Sequence, residues 1–544
     1  MCGIFSKIGK YNEETLLPYL NKIQHRGPDN TQTCYLDNVF LGFHRLSING
    51  LDNISNQPLY YDGVWVICNG EIYNYQQLIE ENNFVYKTNS DCEIIIHMYI
   101  RYGIEYTCKH LDGVFAFVLY DTVKDVVFSA RDHLGIRPLY YAINNKNYDE
   151  YLSTIKNNTI ASNDICFASE AKSLTFMNFI EQFPPRCYWS SQDAQFHPYY
   201  NFKSVIQKNY YNNEDKILSN IRELLCNAVK KRFVMSDVEV GCLLSGGLDS
   251  SLVTAICSKL VRKPYNLKTF SIGLKGSPDL QNAKLVADAL GTNHYSVISN
   301  EEDFLNAINE TIYSLGTYDI TTIRASVGHR LISKFVKENT DVKVLFSGEV
   351  ADEMGSYLYF MNAPSPEHYQ DECIRLLEDI HYFDGLRSDR SISYNGIEAR
   401  VPFSDKEFIQ YYMSIDPKLR MFNNERIEKY LIRKAFSREN LLPESVLWRR
   451  KNGFSDSVSN KERSWSVIIS ECIDKLVTDK EFKTESVKYT YNTPQTKEAY
   501  YYRKIFCEYY TKKHDNIVPY MWLPRWCGEI NDPSARVLNI YEAD

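Results

Sequence analysis

Cys2 follows the first methionine in the run Met1-Cys2-Gly3-Ile4-Phe5. Removal of that methionine would place a thiol nucleophile and a free α-amino group on one residue. An α-amine titrates near about 7.7–8.0, close enough to working pH to accept the thiol proton as a built-in general base. A nucleophile held beside its own activator suits attack on an amide carbonyl. Taken alone, an early cysteine reads as well as a small buried apolar residue.

Other polar pieces of the first half fit such an attack. Arg45, in His44-Arg45-Leu46-Ser47-Ile48, has the planar fork that clamps a carboxylate. Asn69-Gly70-Glu71 follows an apolar run, and Ser90-Asp91-Cys92-Glu93 precedes another. Glu71 and Asp91 suit an α-ammonium, while the Asn69 side chain and the Gly70 N–H suit an oxyanion hole. Together these are the requirements for binding glutamine by its amino-acid end and hydrolysing its side-chain amide. Each has a plainer alternative: Asn-Gly makes hairpin turns, Ser90-Asp91 caps helices, and either Arg26 or Arg45 could form a surface ion pair.

In the second half, Val240-Gly241-Cys242-Leu243-Leu244 runs straight into Ser245-Gly246-Gly247-Leu248-Asp249-Ser250-Ser251. Glycines let the backbone turn sharply and approach an anion, and serines with a following helix N-terminus supply donors. The lysine-bearing G-x-x-x-x-G-K-[ST] pattern is absent. Asp249 suits magnesium bridging to phosphate, since that ion takes one or two carboxylates plus substrate oxygens. A serine-capped strand–helix turn is the bland alternative. In its strand–helix context the whole run resembles the pyrophosphate loop of ATP pyrophosphatases, which cleave ATP between its α and β phosphates.

The elements that must hold these residues fall into two groups. Short apolar runs such as Val64–Cys68, Val114–Tyr120 and Val126–Phe128 predict stacked, mostly antiparallel sheets with few helices up to about residue 190. The polar stretch from Asn144 to Asn163 predicts a surface hairpin or loop. Polar, aromatic sequence from Gln192 to Tyr211 marks the boundary. From Asn213 the pattern alternates: a helix at Lys216–Arg232, a strand at Val238–Leu244, a helix from Asp249, then strands at Leu267–Leu274 and Val342–Phe346. Such alternation predicts an α/β domain with a parallel sheet, and the last 150 or so residues read as largely helical. The expected domains are therefore 2–190 and 213–544.

Composition narrows the function classes. A chain of 544 residues exceeds one ordinary core. No apolar run is long enough to span a membrane, and no basic and apolar leader precedes the first domain. Fourteen cysteines without a secretory framework read as reduced cytoplasmic thiols. The net charge of −8 carries no long basic tract, which argues against nucleic acid. With no C-x-x-C pair, H-E-x-x-H or histidine cluster, a protein-only zinc site is disfavoured.

Together these motifs resemble the glutamine-hydrolysing asparagine synthetases. The resemblance runs from Met1–Phe5 to Asp532–Arg536 and includes Arg131–Tyr140, Thr317–Asp319, Thr321–Ser326 and Gly396–Phe403. It implies an α+β N-terminal nucleophile glutaminase domain, with antiparallel sheets between helix layers. An α/β ATP-pyrophosphatase-type synthetase domain with a parallel sheet and a helical C-terminal part follows. By resemblance, Cys2 is the nucleophile, and Arg45, Asn69, Gly70, Glu71 and Asp91 hold glutamine. Leu243, Ile272, Ser347 and Gly348 line adenine and ribose, and Ser245, Gly246, Gly247, Asp249, Ser250 and Ser251 hold the phosphates. Glu349, Asp352 and Lys451 serve aspartate activation, with magnesium on Asp249 and Asp352. The implied substrates are L-glutamine, L-aspartate and ATP, with no nucleic acid or membrane partner. The family precedent for assembly is a homodimer.

Two departures stand out. The family usually shows S-G-E-G-[AS]-D-E and then F-G-G-Y. Here the chain reads Ser347-Gly348-Glu349-Val350-Ala351-Asp352-Glu353-Met354-Gly355-Ser356-Tyr357, one residue shorter, with Val350 for glycine. If that position needs positive φ, a β-branched valine is costly. Lys451-Asn452-Gly453-Phe454-Ser455-Asp456 also departs from the bacterial-type Glu-Gln before Phe-Ser-Asp. The competing readings are a glutaminase with a silenced synthetase site and a non-catalytic regulatory homologue.

Overall fold

The computed structural model describes residues 1–144, 164–206, 210–262, 266–423, 425–451, 453, 457–460, 463–535 and 538. Apart from its first residue, the expected hairpin at 144–163 lies outside the described residues until position 164.

Two antiparallel sheets stack in the N-terminal half. In spatial order the first contains Phe179–Gln182, Tyr140–Ile143, Ile165–Ala168, Gly3–Ile8, Val39–Arg45 and Asn30–Leu36. The second contains Gln195–Pro198, Cys187–Ser190, Val126–Arg131, Gly113–Asp121, Val64–Ile72 and Leu59–Tyr61. Strand alternation explains why Gly113–Asp121 is buried throughout. Ala116, Val118 and Tyr120 meet the first sheet through Ile4, Phe43 and Phe167. Phe115, Phe117 and Leu119 face Ile95, Ile96 and Tyr99 of the helix Ile94–Tyr102. On the far side, Phe5 and Phe40 of the first sheet pack on Leu16 and Leu20 of the helix Glu13–Leu20. The layers are helix, sheet, sheet, helix, as the resemblance implied. The second sheet runs on to Pro198, past residue 190, because Phe196 joins the inter-sheet core.

The C-terminal half holds a five-stranded parallel sheet in the order Asn293–Ser299, Lys268–Leu274, Val240–Leu243, Val344–Phe346, Glu398–Arg400. The chain leaves the central strand Val240–Leu243 toward one side and later returns on the other. The crevice beyond the carboxyl ends of Val240–Leu243 and Val344–Phe346 is thus a switch point, the place where open α/β sheets bind ligands. The loops at 245–251 and 347–352 both start there.

Both halves share apolar core. Phe5, Leu20 and Tyr140 cluster with Ile312, Leu315 and Tyr318, and Leu46, Ile48 and Ile136 with Leu248, Leu252 and Phe403. No described helix is long and apolar enough to cross a membrane.

Candidate active sites

Cys2 stands at the head of the strand Gly3–Ile8, its thiol 3.9 Å from the Leu46 carbonyl oxygen. Its backbone N–H donates to Asn69 Oδ1 at 2.9 Å. That contact commits the carbonyl end of the Asn69 amide and leaves Nδ2 buried with no partner. A free donor beside the thiol is what an oxyanion requires. Gly70 is dictated by close approach: a Cβ there would lie 2.5 Å from the Val114 carbonyl oxygen on the paired strand.

Glu71 accepts from Asn49 Nδ2, and its Oε1 lies 3.4 Å from Arg400 Nη2. Asp91 Oδ2 accepts from the Ile72 N–H at 2.7 Å. Burial pushes the Asp91 carboxyl up to about 6. Burial and the nearby Glu398 carboxylate raise Glu71 well above the usual range, with Arg400 opposing. Burial also pushes the Cys2 thiol up. Arg45 spends its guanidinium on the loop beside it, donating to the Asp52 carbonyl at 2.8 Å, Asn56 Oδ1 at 2.6 Å, the Asn49 carbonyl at 3.1 Å and the Gly50 carbonyl. Cys2, Arg45, Asn69, Gly70, Glu71 and Asp91 therefore come from one corner where the two sheets meet.

Met1 is present and buried, its ammonium 3.0 Å from Glu398 Oε2 of the other half. Glu398 also meets Arg137 Nη2 at 3.2 Å and Arg400 Nε at 2.8 Å. Arg26 donates through Nε to the Cys2 carbonyl at 3.0 Å and through Nη1 to Asp389 Oδ2 and Glu170 Oε1, both at 2.8 Å. Buried, mutually compensating charges thus link the Cys2 corner to the second half.

The second corner is a cavity of about 320 Å³ at the sheet's switch point. Leu243, Ile272, Ser347 and Gly348 line it, with Ser245, Gly247, Asp249 and Ser250 of the loop and Glu349, Asp352 and Lys451. Gly246 and Ser251 stand behind that lining. Gly246 has φ +75°, and a Cβ there would lie 2.4 Å from Asn282. Ser251 is fully buried in the first turn of the helix Leu248–Leu260, its Oγ without a partner. Ser245 Oγ and Ser250 Oγ sit 3.1 Å apart, closing the loop on itself. A Cβ on Gly348 would lie 2.6 Å from the Ser250 amide nitrogen, so the two loops touch through glycine.

Val350 sits at φ +77° and is buried. The positive φ that would call for glycine is therefore present, and valine bears it, at a cost of about 1–3 kcal/mol. Even so, Ser347, Gly348, Glu349 and Asp352 keep their places on the cavity wall.

Asp249 and Asp352 meet on one ammonium: Lys429 Nζ contacts Asp249 Oδ2 and lies 2.5 Å from Asp352 Oδ1. Lys451 pairs with Asp352 Oδ2. Burial works against the Asp352 carboxylate, yet Lys429 and Lys451 outweigh it and hold the group well below its ordinary range. Asp249 Oδ1 is buried with no partner. Two carboxylates within reach of one cation, one with a free oxygen, fit a divalent ion, and the glycine-lined loop beside them fits phosphate. Glu349 pairs with Arg387 Nη2, which bonds Asp384 Oδ1 through Nη1 at 2.8 Å. His329 Nε2 lies 3.7 Å from Glu349 Oε1, and burial beside Arg387 pushes that imidazole down to about 3.

Sequence reasoning missed Lys429, Arg387, Asp384, Glu398 and Arg400. Only the last two lay in a singled-out run, Gly396–Phe403, where charge in a short apolar stretch was the available signal.

A family model described as a glutamine amidotransferase domain matches residues 1–229. One described as asparagine synthase matches 220–371 and 361–527. The chain is 41% identical over its full length to the glutamine-hydrolysing asparagine synthetase of Gallus gallus and 40% identical to that of Homo sapiens, covering 99% of each. The Bos taurus protein of the same description is 41% identical at the same coverage. The chain thus belongs to the glutamine-hydrolysing asparagine synthetases, a glutaminase half joined to an ATP-using synthetase half.

Proposed function

We propose that this chain makes L-asparagine from L-aspartate, using ammonia released from L-glutamine and driven by cleavage of ATP to AMP and pyrophosphate. The observation that carries the reading is the pairing, in one chain, of the Cys2–Asn69 corner with a cavity where the Ser245–Ser251 loop faces Glu349, Asp352 and Lys451.

In the first corner the Cys2 thiolate attacks the glutamine amide carbon. Asn69 Nδ2 and the Gly70 N–H stabilise the oxyanion, ammonia departs with the proton it needs, and water releases glutamate from the thioester. Glu71 and Asp91 hold the substrate ammonium, and Arg45 its carboxylate, which requires Nη donors of Arg45 to leave the loop oxygens they hold. Met1 must leave for Cys2 to supply its own α-amine as base.

In the second corner an aspartate β-carboxylate oxygen attacks the α-phosphorus of ATP, and pyrophosphate leaves with the bonding electrons. Ammonia then attacks the acyl carbon of β-aspartyl-AMP, AMP departs, and the amide nitrogen loses a proton. Leu243, Ile272, Ser347 and Gly348 take adenine and ribose; Ser245, Gly246, Gly247, Ser250 and Ser251 take the phosphates. Asp249 and Asp352 would hold Mg²⁺, which supplies charge neutralisation at the phosphates when bound. Lys451 neutralises developing phosphate charge, and Glu349 serves the reacting carboxylate.

The reading places residues 2–190 as glutaminase and 213–544 as synthetase, in a reducing, cytoplasmic setting that suits unpaired cysteines.

The test uses protein shown by mass spectrometry to lack Met1, incubated with aspartate, Mg-ATP and either glutamine or ammonium. Asparagine, glutamate and pyrophosphate are quantified. The expected result is asparagine from both nitrogen sources, with Cys2→Ala retaining the ammonium route alone. Glutamate without asparagine or pyrophosphate would replace the reading with a glutaminase whose second site Val350 has silenced.

A further inference from the structure

Beside the large cavity lies a second of about 10 Å³, which shares Thr321, Tyr357, Asp384 and Trp522 with it and adds Glu353. That volume holds one water-sized group. Three separate elements bring oxygen atoms to it. Thr321 opens the helix Ile320–Asn339, Asp384 opens the helix Asp384–Ser393, and Glu353 follows the strand Val344–Phe346 by a turn. Tyr357 O–H bridges the two carboxylates, 3.1 Å from Glu353 Oε1 and 2.7 Å from Asp384 Oδ2.

Two of these oxygens lack a partner. Glu353 Oε2 and Thr321 Oγ1 are both buried with no hydrogen bond, and Glu353 is 3% exposed. A buried carboxylate oxygen left this way is expensive unless a cation or donor completes it. Glu349, Glu353 and Asp384 bring three carboxyl groups, and burial beside Asp384 and Asp352 pushes the Glu353 carboxyl well above its ordinary range. Arg387 pairs with Glu349 and Asp384, and among the described residues no ion pair reaches Glu353. A small group with a positive charge and several N–H donors is what this arrangement lacks. A primary ammonium has that size, charge and donor number.

We propose that Glu353, with Thr321 and Asp384, receives the α-ammonium of the amino-acid substrate in the synthetase half. The inference rests on the reading of that half as one that activates aspartate. The guanidinium of Arg387, on the Oδ1 side of Asp384 and with Nε buried and unpartnered, places positive charge next to the receptor, where a substrate α-carboxylate requires it. The site would separate α-amino dicarboxylates from dicarboxylates without the amine. Leaving a buried receptor unpaired discriminates far more strongly than an apolar pocket does.

The test measures equilibrium binding of aspartate and of succinate to the full chain in the presence of Mg²⁺ and a non-hydrolysable ATP analogue. The same chain is assayed for ammonium-dependent asparagine formation. Glu353→Gln and the isosteric Thr321→Val are compared with wild type. Glu353→Gln is expected to weaken aspartate binding and raise its KM about 10- to 100-fold, with succinate and the ATP analogue within about twofold of wild type. Thr321→Val is expected to shift aspartate in the same sense by a smaller factor. Equal losses for aspartate and succinate, or parallel loss of ATP-analogue affinity, would mean a merely structural role and overturn the proposal. A change confined to the KM for ammonium would also overturn it, assigning the cavity to free ammonia instead. If wild type binds aspartate no better than succinate, the proposal falls while the functional reading stands. If it binds neither aspartate nor the ATP analogue, the functional reading falls first.

Discussion

Glu71 and Arg400 form an ion pair between the two halves of the chain, Oε1 to Nη2 at 3.4 Å. Arg400 also accepts the Ser347 N–H on its own carbonyl oxygen at 2.9 Å. One residue therefore touches a side chain of the Cys2–Asn69 corner and the backbone of the loop that begins at Ser347. The strand Glu398–Arg400 that carries it is the edge of the parallel sheet next to Val344–Phe346. Burial of Glu71 is sustained by this guanidinium, and a buried carboxylate that loses its partner is strongly unfavourable.

Arg400→Met should accordingly impair glutamine use more than ammonium use. The expected result is an increase of about tenfold or more in glutamine KM, with ammonium-dependent asparagine formation reduced by less. Global stability should fall by about 3–5 kcal/mol as Glu71 and Glu398 are left without the guanidinium. Steady-state kinetics with each nitrogen source, beside a denaturant titration, checks both. Equal losses with the two sources would show that Arg400 supports the fold alone.

Val350 at φ +77° gives a separate prediction. Val350→Gly should relieve about 1–3 kcal/mol of β-branched strain while giving up a buried side chain worth about 1.5–3 kcal/mol, so stability should stay within about 1 kcal/mol of wild type. Pyrophosphate formation should be retained, since Ser347, Gly348, Glu349 and Asp352 already hold their places on the cavity wall. A lower denaturation midpoint in the variant would show that valine's packing outweighs its backbone strain.

The sequence displayed the parts of these sites that depend on local chemistry. The Ser245–Ser251 loop, the flanking strand and helix, and the Asn69-Gly70 pair are each legible from neighbours in the chain. Glycine positions were legible too, since Gly246 and Val350 both sit at positive φ. Contacts made across hundreds of residues were not. Lys429 meets Asp249 and Asp352, 180 and 77 positions away, and nothing near Arg426-Ile427-Glu428-Lys429 marks it as a cavity residue. The strand Asn293–Ser299 was missed because, at the sheet edge with no fully buried residue, it lacks the apolar run that marks its neighbours. Glu398–Arg400 was missed because it has three residues, two of them charged, and is stabilised by ion pairs with the other half.

Lys429 is buried between Asp249 and Asp352, so under the proposed function its charge would form part of the phosphate-binding field. Lys429→Met should lower aspartate-dependent pyrophosphate formation by about 100-fold, a magnitude typical of removing one preorganised electrostatic contact. Glutamine hydrolysis should be unaffected, since the lysine belongs to the other corner. Parallel assays of pyrophosphate and glutamate on one preparation test this, and loss of both activities would point to misfolding rather than to the lost charge.

Asp91 provides the pH-dependent prediction. Burial raises its carboxyl to about 6 against an ordinary 3.8, so the folded chain binds this proton more tightly than the unfolded chain. Between those two values the folded state carries more protons, and its stability falls as pH rises through that window. Above pH 6 the group is charged at the expense of stability, and under the proposed function it is that charged form which would hold a substrate ammonium. Glutamine KM should therefore climb steeply as pH drops below 6, approaching tenfold per unit, while the ammonium-dependent reaction, with its nitrogen source counted as free NH₃, lacks this limb. Asp91→Asn should abolish the limb, hold glutamine KM high at every pH, and remove this residue's contribution to the pH slope of stability between about 4 and 6. KM profiles for glutamine and ammonium over pH 5 to 8, with denaturation midpoints at the same values, decide it. An unchanged limb in Asp91→Asn would assign the titration to Glu71, the other buried carboxylate of that corner.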